Sequence, residues 1–408
     1  MKKMVTDAML MPAYVSRFTC IGGDCEDTCC AGCCIQLDQS SFLTYKASTD
    51  PVLQPLFERH LQRNPESTSS EEFGTIDLKD DEWHGCAFLN EQKLCRIYEG
   101  MGEQALSDTC AYYPRTVLQC GTSHRVALTL ACPEAARLAL LERDAFDLVT
   151  EPQTVSQAYV GSIEPRFGFP LDVVDDVHTL LFQVLSSEDS SLADRLRVIG
   201  LFCDRLTGLI ISRQTADLPR VVESLVRDLD DTAGSSPLAG QGVFPEVVAQ
   251  ACAPYLTVGR DAFQTPHVRK VLDEVTRGLG FQGNQAPEDA ELVRAYMTGL
   301  ARLAPALERV PWLLEHYLRN EFLKEFFPWV LGNPKRHYAT VILRYALIRL
   351  MLAGRAAARE DQLTPFELAE TIQVGCRRYV NDKSFTLYVA EDLAKSGWDS
   401  LERLHTLL

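Results

Sequence analysis

The chain has 408 residues, enough for two or three domains and for a sizeable hydrophobic core, and its apolar content of 46% is that of an ordinary globular protein. It carries 56 acidic against 40 basic residues, a formal charge of −16. A field of that sign disfavours nucleic acid and anionic membrane surfaces and favours small cations or lysine-bearing partners, although it also serves solubility alone.

The N-terminal stretch MKKMVTDAMLMPAYVSRF starts basic, but Asp7 and Pro12 break the apolar run that a signal peptide needs. No segment offers about twenty uncharged apolar residues. The nearest, 338–354, is interrupted by Arg344 and Arg349. A cytoplasmic protein without membrane or nucleic-acid partners is expected.

Residues 20–34, CIGGDCEDTCCAGCC, hold six cysteines and three acidic side chains with no basic one. Cys86, Cys95, Cys110, Cys120 and Cys132 follow, so that 11 of the 14 cysteines precede residue 133. In a reducing compartment such enrichment points to metal binding or catalysis before disulfides. Thiols beside Asp24, Glu26 and Asp27 would hold their protons tightly, and a bound cation reverses that penalty. Gly22, Gly23 and Gly32 let the backbone bend and aim N–H groups at sulfur. Zinc prefers paired C-x2-C knuckles, and only Cys30–Cys33 has that spacing in the loop. An all-thiolate set also suits an iron–sulfur cluster, although the spacing is not the bacterial ferredoxin run. A radical-type C-x3-C-x2-C motif would need cysteines at 25, 29 and 32, and position 32 is glycine. The adjacent pairs Cys29–Cys30 and Cys33–Cys34 diverge, so one member of each serves a second centre or packs. A thiol–disulfide switch at Cys30–Cys33 lacks the βαβ surroundings of a thioredoxin. His84, beside Trp83 and Cys86, reads as a hydrogen-bonded neighbour of the thiols.

Residues 1–150 otherwise read as a turn-rich, cysteine-rich domain, with a polar loop at 62–74 and a helix opening at Pro133. Prolines and glycines at 151–170 read as a linker. From Leu171 the apolar period is helical, with Ser191 as a cap and Asp194 three residues on. Further helices are expected at 217–230, 243–257, 265–278, 288–305, 309–327, 336–358, 364–381 and 384–406. Alternating strand patterns are nearly absent. The fold class is therefore mainly α: a cysteine-rich metal-binding domain over 1–150, a linker at 151–170, and an all-α helical domain over 171–408. GLGFQG at 278–283 matches a nucleotide-loop pattern literally, but it follows a helix and reads as a helix end and loop. Cys203, Cys252 and Cys376 stand alone in helical patterns and read as small apolar core residues.

FTCIGGDCEDTCC, then CAFL with LCRIYEG, then LSDTCAYYPR and CPEAAR resemble the flagellin lysine-N-methylase family of cysteine-rich metal-chelating proteins. EHYLRNEFLKEFFP at 315–328 resembles that family's aromatic helix, so the likeness covers most of the chain. The resemblance implies an S-adenosylmethionine-dependent enzyme that methylates lysine ε-amines of flagellin and carries an iron–sulfur cluster of the 4Fe-4S type. Its matching ligand positions are Cys20, Cys25, Cys29, Cys30, Cys86, Cys95, Cys110 and Cys132. Cys33, Cys34 and Cys120 depart from the pattern.

Methyl transfer to lysine needs a neutral amine and an aromatic or acidic site to receive it. Near the cysteines, Asp27, Tyr113 and Arg115 are the catalytic candidates. Asp27 reads equally as a turn or cap residue, and the two others as core aromatic and surface cation. Arg344, Arg349 and Glu315 are candidates for holding the methyl donor, with helix packing as the alternative for Glu315. Two other function classes stay open on spacing alone: a non-enzymatic zinc- or iron-stabilised binding module, and a redox or electron-transfer protein. Iron with acid-labile sulfide in the purified protein would remove the zinc-only reading.

Overall fold

The computed structural model describes residues 3–32, 35–234, 244–257, 264–380, 395, 397 and 400–408. Cys33, Cys34 and most of the helix expected at 384–406 lie outside the described residues; within that stretch Leu401–His405 is helical.

The N-terminal part contains two sheets, contrary to the expectation that strands are nearly absent. Strand β1 (Met4–Pro12) leads into a helical turn α1 (Ala13–Ser16) and the cysteine loop. A small module follows: β2 (Ile35–Leu37), α2 (Gln39–Lys46), α3 (Leu53–His60), β3 (Leu61–Arg63), β4 (Gly74–Ile76), α4 (Arg96–Met101) and α5 (Asp108–Tyr112). Its three strands form an antiparallel sheet in the order β2-β4-β3. It has its own apolar core around Phe42, Tyr45, Phe57, Phe88 and Ile97.

The chain then returns to the first sheet with β5 (Arg115–Cys120) and β6 (Ser123–Leu128). These form a hairpin whose two-residue turn opens on Gly121 at φ 60°, a conformation that favours glycine. Helix α6 (Pro133–Leu141) and strands β7 (Leu148–Ser156) and β8 (Gly161–Ile163) complete the region. The five strands lie in the order β7-β1-β6-β5-β8, with β1 antiparallel to β7 along all nine residues and parallel to β6. The segment 151–170 is thus largely structure and not a free linker. Pro152 is accommodated because β7 is an edge strand, where one side of the backbone needs no partner.

The C-terminal region is helical as expected. It comprises α7 (Leu171–Ser186), α8 (Leu192–Ser212), α9 (Leu218–Gly234), α10 (Pro245–Cys252), α11 (Pro266–Gly278), α12 (Asp289–Leu307), α13 (Leu313–Lys324), α14 (Pro334–Ala357) and α15 (Pro365–Gly375). Ser191 caps α8 by accepting the Asp194 N–H. The 278–283 stretch closes α11 and turns through Gly280 and Gly283 at positive φ, with a helix and not a strand before it. Helix α14 is the hub, packed against α8, α10, α11, α12 and α15 and buried on nearly every side.

One continuous core runs from Met9 and Met11 in β1 through the helices to Leu408. The sheet and the helical array share it, so the expected boundary near residue 150 does not separate two cores. The part with its own core is the insertion between β1 and β5, which holds Cys86 and packs against Cys30, Cys95 and Cys110. Cys203, Cys252 and Cys376 are buried in the main core. Among the described residues no helix is long and apolar enough to cross a membrane.

Candidate functional site

The cysteine loop lies between the small module and the helical array, and its backbone is held from the C-terminal side. Asp27 is completely buried. Its carboxylate accepts hydrogen bonds from the Thr265 hydroxyl and the Gln373 amide, both at 2.8 Å, and pairs with Arg377 at 3.2 Å. Arg377 also donates to the carbonyls of Asp27, Thr28 and Ala31. It stands in a π-helical turn, Cys376–Val380, that continues α15. Next to Asp27, Glu26 pairs with Arg137 of α6 at 2.6 Å. Asp27, expected as a catalytic group, is therefore a buried tie: its oxygens are engaged and closed to solvent. Thr265, Gln373 and Arg377 escaped the sequence reading because no spacing links a loop at 27 to a helix 350 residues away.

All twelve described cysteines are unbridged. Backbone N–H groups point at several of their sulfurs. Gly22 donates to Cys20 and Phe88 to Cys86, both at 3.5 Å. Asp27 donates to Cys25, Ile97 and Tyr98 to Cys95, and Glu134 and Ala135, at the start of α6, to Cys132. The Cys86 N–H in turn reaches the Cys30 carbonyl at 2.7 Å, joining the loop to the module. Cys29 is felt by Cys25, Cys30, Cys95 and Cys132, and Cys110 by Cys30 and Cys86, so the sulfurs of the loop and the module share one electrostatic neighbourhood. Burial pushes the thiols of Cys25 up to about 11 and of Cys86 and Cys132 up to about 12, and raises Cys95 as well. Cys29, which is exposed at the surface, moves the other way, lowered first by the hydrogen bond with the Cys30 thiol and then, against partial desolvation, by Arg377.

Among the described residues no three of Cys, His, Asp and Glu yet close on a metal ion. The donor chemistry nonetheless fits a thiolate-held centre. The sulfurs come from four separate stretches, carry no disulfide, and accept N–H bonds of the kind that hold cluster thiolates. Cys20 and Cys29 are exposed, and the other thiols of these stretches are half-buried or buried.

The other expected residues are dispersed. Tyr113 is half-buried and joined to Pro114 by a cis bond. The Arg115 guanidinium lies 5.4 Å from the Phe18 ring centre, and burial lowers its pKa. Both stand where α5 meets β5, beside Cys110. Arg344 is buried on α14, 2.7 Å from Glu325 and 3.5 Å from Glu321, with the Val380 carbonyl as a further acceptor. Arg349 reaches the carbonyls of Leu407 and Leu408. Glu315 binds Arg195 at 2.8 Å and Arg319 at 2.5 Å. These last three, expected to hold a methyl donor, have separate protein partners and stand apart from the cavity beside the cysteine loop. The structure uses them as internal ties.

A cavity of about 430 Å³ opens beside the cysteine loop, walled by Thr28, Lys79, Asp81, Trp83, Asn90, Lys93 and Arg96. A smaller one, about 70 Å³, lies between β1, β5 and β6 and the helices, against His178 and Phe182.

A family model described as the FliB lysine N-methylase C-terminal domain matches residues 178–407. The chain is also 34% identical over 374 residues to a lysine-N-methylase of Salmonella typhimurium, covering 85% of this chain and 86% of that protein. The chain belongs to the FliB lysine N-methylase family. It is a lysine N-methyltransferase by that membership. A lysine-N-methylase of Salmonella choleraesuis shows the same 34% identity over 375 residues, covering 85% of this chain and 86% of its own length. The flagellar biosynthetic protein FliU of Salmonella muenchen matches 34% of this chain and 79% of its own length, again at 34% identity. No solved structure matches the chain.

Proposed function

We propose that this methylase transfers a methyl group from S-adenosylmethionine to lysine side chains of flagellin, and that its clustered cysteines hold an iron–sulfur centre. The observation that carries the reading is the set of unbridged, N–H-supported thiols in a chain that aligns along most of its length with lysine-N-methylases. The flagellar substrate is supported by the name of a further relative, a flagellar biosynthetic protein. Unbridged cysteines and use of S-adenosylmethionine both suit the cytoplasm.

Cys25, Cys29, Cys30, Cys86, Cys95, Cys110 and Cys132 are the residues that would hold the centre, with Cys20 at its edge. When bound, such a centre supplies positive charge and cross-links the loop to the small module. The remaining work falls to this chain's own groups. The acceptor lysine must lose a proton, because roughly one amine in a few thousand is neutral at pH 7. Half-buried aromatics such as Tyr113 offer faces for the amine, and the Arg377 clasp fixes the loop against which it would be placed. Displacement at a sulfonium methyl is polar and draws no electron from a cluster.

The test combines purified flagellin, labelled S-adenosylmethionine and the iron-loaded protein, with and without a one-electron reductant. Methyl-lysine with S-adenosylhomocysteine, formed without reductant and faster as pH rises, is the expected outcome. Formation of 5′-deoxyadenosine, or strict dependence on reductant, overturns the polar mechanism.

A further inference from the structure

We infer that the 430 Å³ cavity beside the cysteine loop is the seat of the methyl donor, with Trp83 and Arg96 as its recognition residues. The inference rests on the reading that the donor is S-adenosylmethionine, and it deepens that reading by placing the molecule. A donor of this kind has three chemical handles: an α-carboxylate, a methylated sulfonium cation, and an adenine ring on a ribose diol. The cavity offers a group for each.

Arg96, at the start of α4, lines the wall half-buried, and its guanidinium has no hydrogen-bond or ion-pair partner among the described residues. A planar fork facing a cavity is suited to a carboxylate. Lys79 is partly committed, since one of its three N–H donors goes to the Leu89 carbonyl at 2.6 Å, and it lacks the planar fork that matches a carboxylate. Trp83 supplies an aromatic face that already receives a cation: the Lys93 ammonium lies 3.8 Å from its ring centre. A sulfonium would be attracted by the same ring quadrupole, and an adenine can stack there once Lys93 swings out. Lys93 sits half-buried in a turn at φ 59°, and its ammonium has no hydrogen-bond or ion-pair partner among the described residues, so it can move. Asp81 and Glu91 at the rim are acceptors for the ribose hydroxyls or the α-ammonium. The volume suits a ligand of this size.

Position agrees with the chemistry. Thr28 forms part of the wall, next to Cys29 and within the loop that Arg377 clasps. Arg96 follows Cys95, and Trp83 precedes Cys86 by three residues. The donor would therefore sit against the thiol group, in the small module, and not among the buried arginines of α14. The helical array is left to hold the loop and meet the protein substrate.

The experiment measures binding of S-adenosylmethionine and S-adenosylhomocysteine to the purified protein by calorimetry and by tryptophan fluorescence, without flagellin. Iron content and thermal unfolding are followed for every variant. Arg96→Gln and Trp83→Leu should each weaken binding about tenfold or more at unchanged iron content, and Trp83→Phe should retain most of it. Lys93→Ala, which frees the ring face, should bind at least as tightly as the parent. Parent-like binding by Arg96→Gln and Trp83→Leu overturns the site while leaving the donor reading intact. In a parallel methylation assay, a raised KM for flagellin with unchanged donor binding likewise overturns it and makes the Trp83 face a seat for substrate lysine. A parent protein that takes up neither compound overturns the donor reading and the site together.

Discussion

Asp27 shows how a residue singled out by its neighbours in sequence can be held by partners remote from it. The sequence marks it by its place among six thiols, where a carboxylate suggests proton transfer. The fold gives it to Thr265, Gln373 and Arg377, three side chains more than 230 residues away, in a space from which water is excluded. Removing one partner of a buried, hydrogen-bonded ion pair leaves the other charge uncompensated. Asp27→Ala should therefore cost about 3 kcal/mol of unfolding free energy. Arg377→Met combined with Asp27→Ala should cost less than the two single changes added together, because the pair is coupled. Urea denaturation of the three variants measures both expectations. Unchanged stability of Asp27→Ala with abolished methylation would restore a catalytic role. The cysteines were legible for a different reason: sulfur spacing is local, and the N–H groups that serve Cys25, Cys86, Cys95 and Cys132 come from the next two or three residues. Arg96 and Trp83 carried no such local signal, because a cavity wall assembles from residues that only folding brings to one side.

At the scale of elements, helices were read well and strands poorly. The helices of 171–375 bury an apolar stripe at helical period, and the cap Ser191 announces the start of α8. Strand β7 announces nothing, since it is an edge strand with Pro152 inside it and only Val155 and Ser156 at its end buried. What the helical period could not show is how closely the helices approach. An added Cβ at Gly299 of α12 would stand 2.1 Å from the Ala353 carbonyl oxygen of α14, and one at Gly278 of α11 would stand 1.8 Å from the Gly354 carbonyl oxygen. These are backbone contacts, and no side chain can turn aside to relieve them. Gly299→Ala should destabilise by about 1–3 kcal/mol or more as α12 is pushed off α14. Gly208→Ala, in α8 with nothing within 4 Å of the new methyl, should instead stabilise by up to about 1 kcal/mol through helix propensity. Opposite signs in thermal unfolding are the expected result, and equal effects would mean that α12 and α14 do not cross so closely.

For the whole molecule, the shared core couples stability to pH through buried imidazoles. His178, under the sheet, donates from Nδ1 to the Phe327 carbonyl at 2.7 Å, and its Nε2 is buried without a partner. Burial, with Arg125 nearby, lowers its pKa to about 3. His316 donates to the Ala139 carbonyl of α6 and is lowered by burial to about 4, and His405 near the C-terminus is also lowered to about 4 by burial. In each case the folded state refuses a proton that the unfolded chain accepts below its ordinary value of 6.5. A depressed folded value gives stability that is full above pH 6.5 and is lost as pH falls toward the folded value. Each histidine contributes a slope of about 1.4 kcal/mol per pH unit in that window. Glu325, which Arg344 and His337 hold below the ordinary carboxylate range despite its burial, adds a loss of the same sign, but only below about pH 4.5. Urea midpoints should therefore be flat between about pH 7 and 8, fall steadily between pH 6.5 and 4.5, and fall again above about pH 9, where the unfolded chain ionises thiols that burial keeps protonated in the folded one. Replacing His178 with Phe should reduce the slope in that window by about a third, since one of three proton-refusing groups is gone. An unchanged slope in the His178→Phe protein would show that the ring between β6 and Phe327 already carries a proton in the native state.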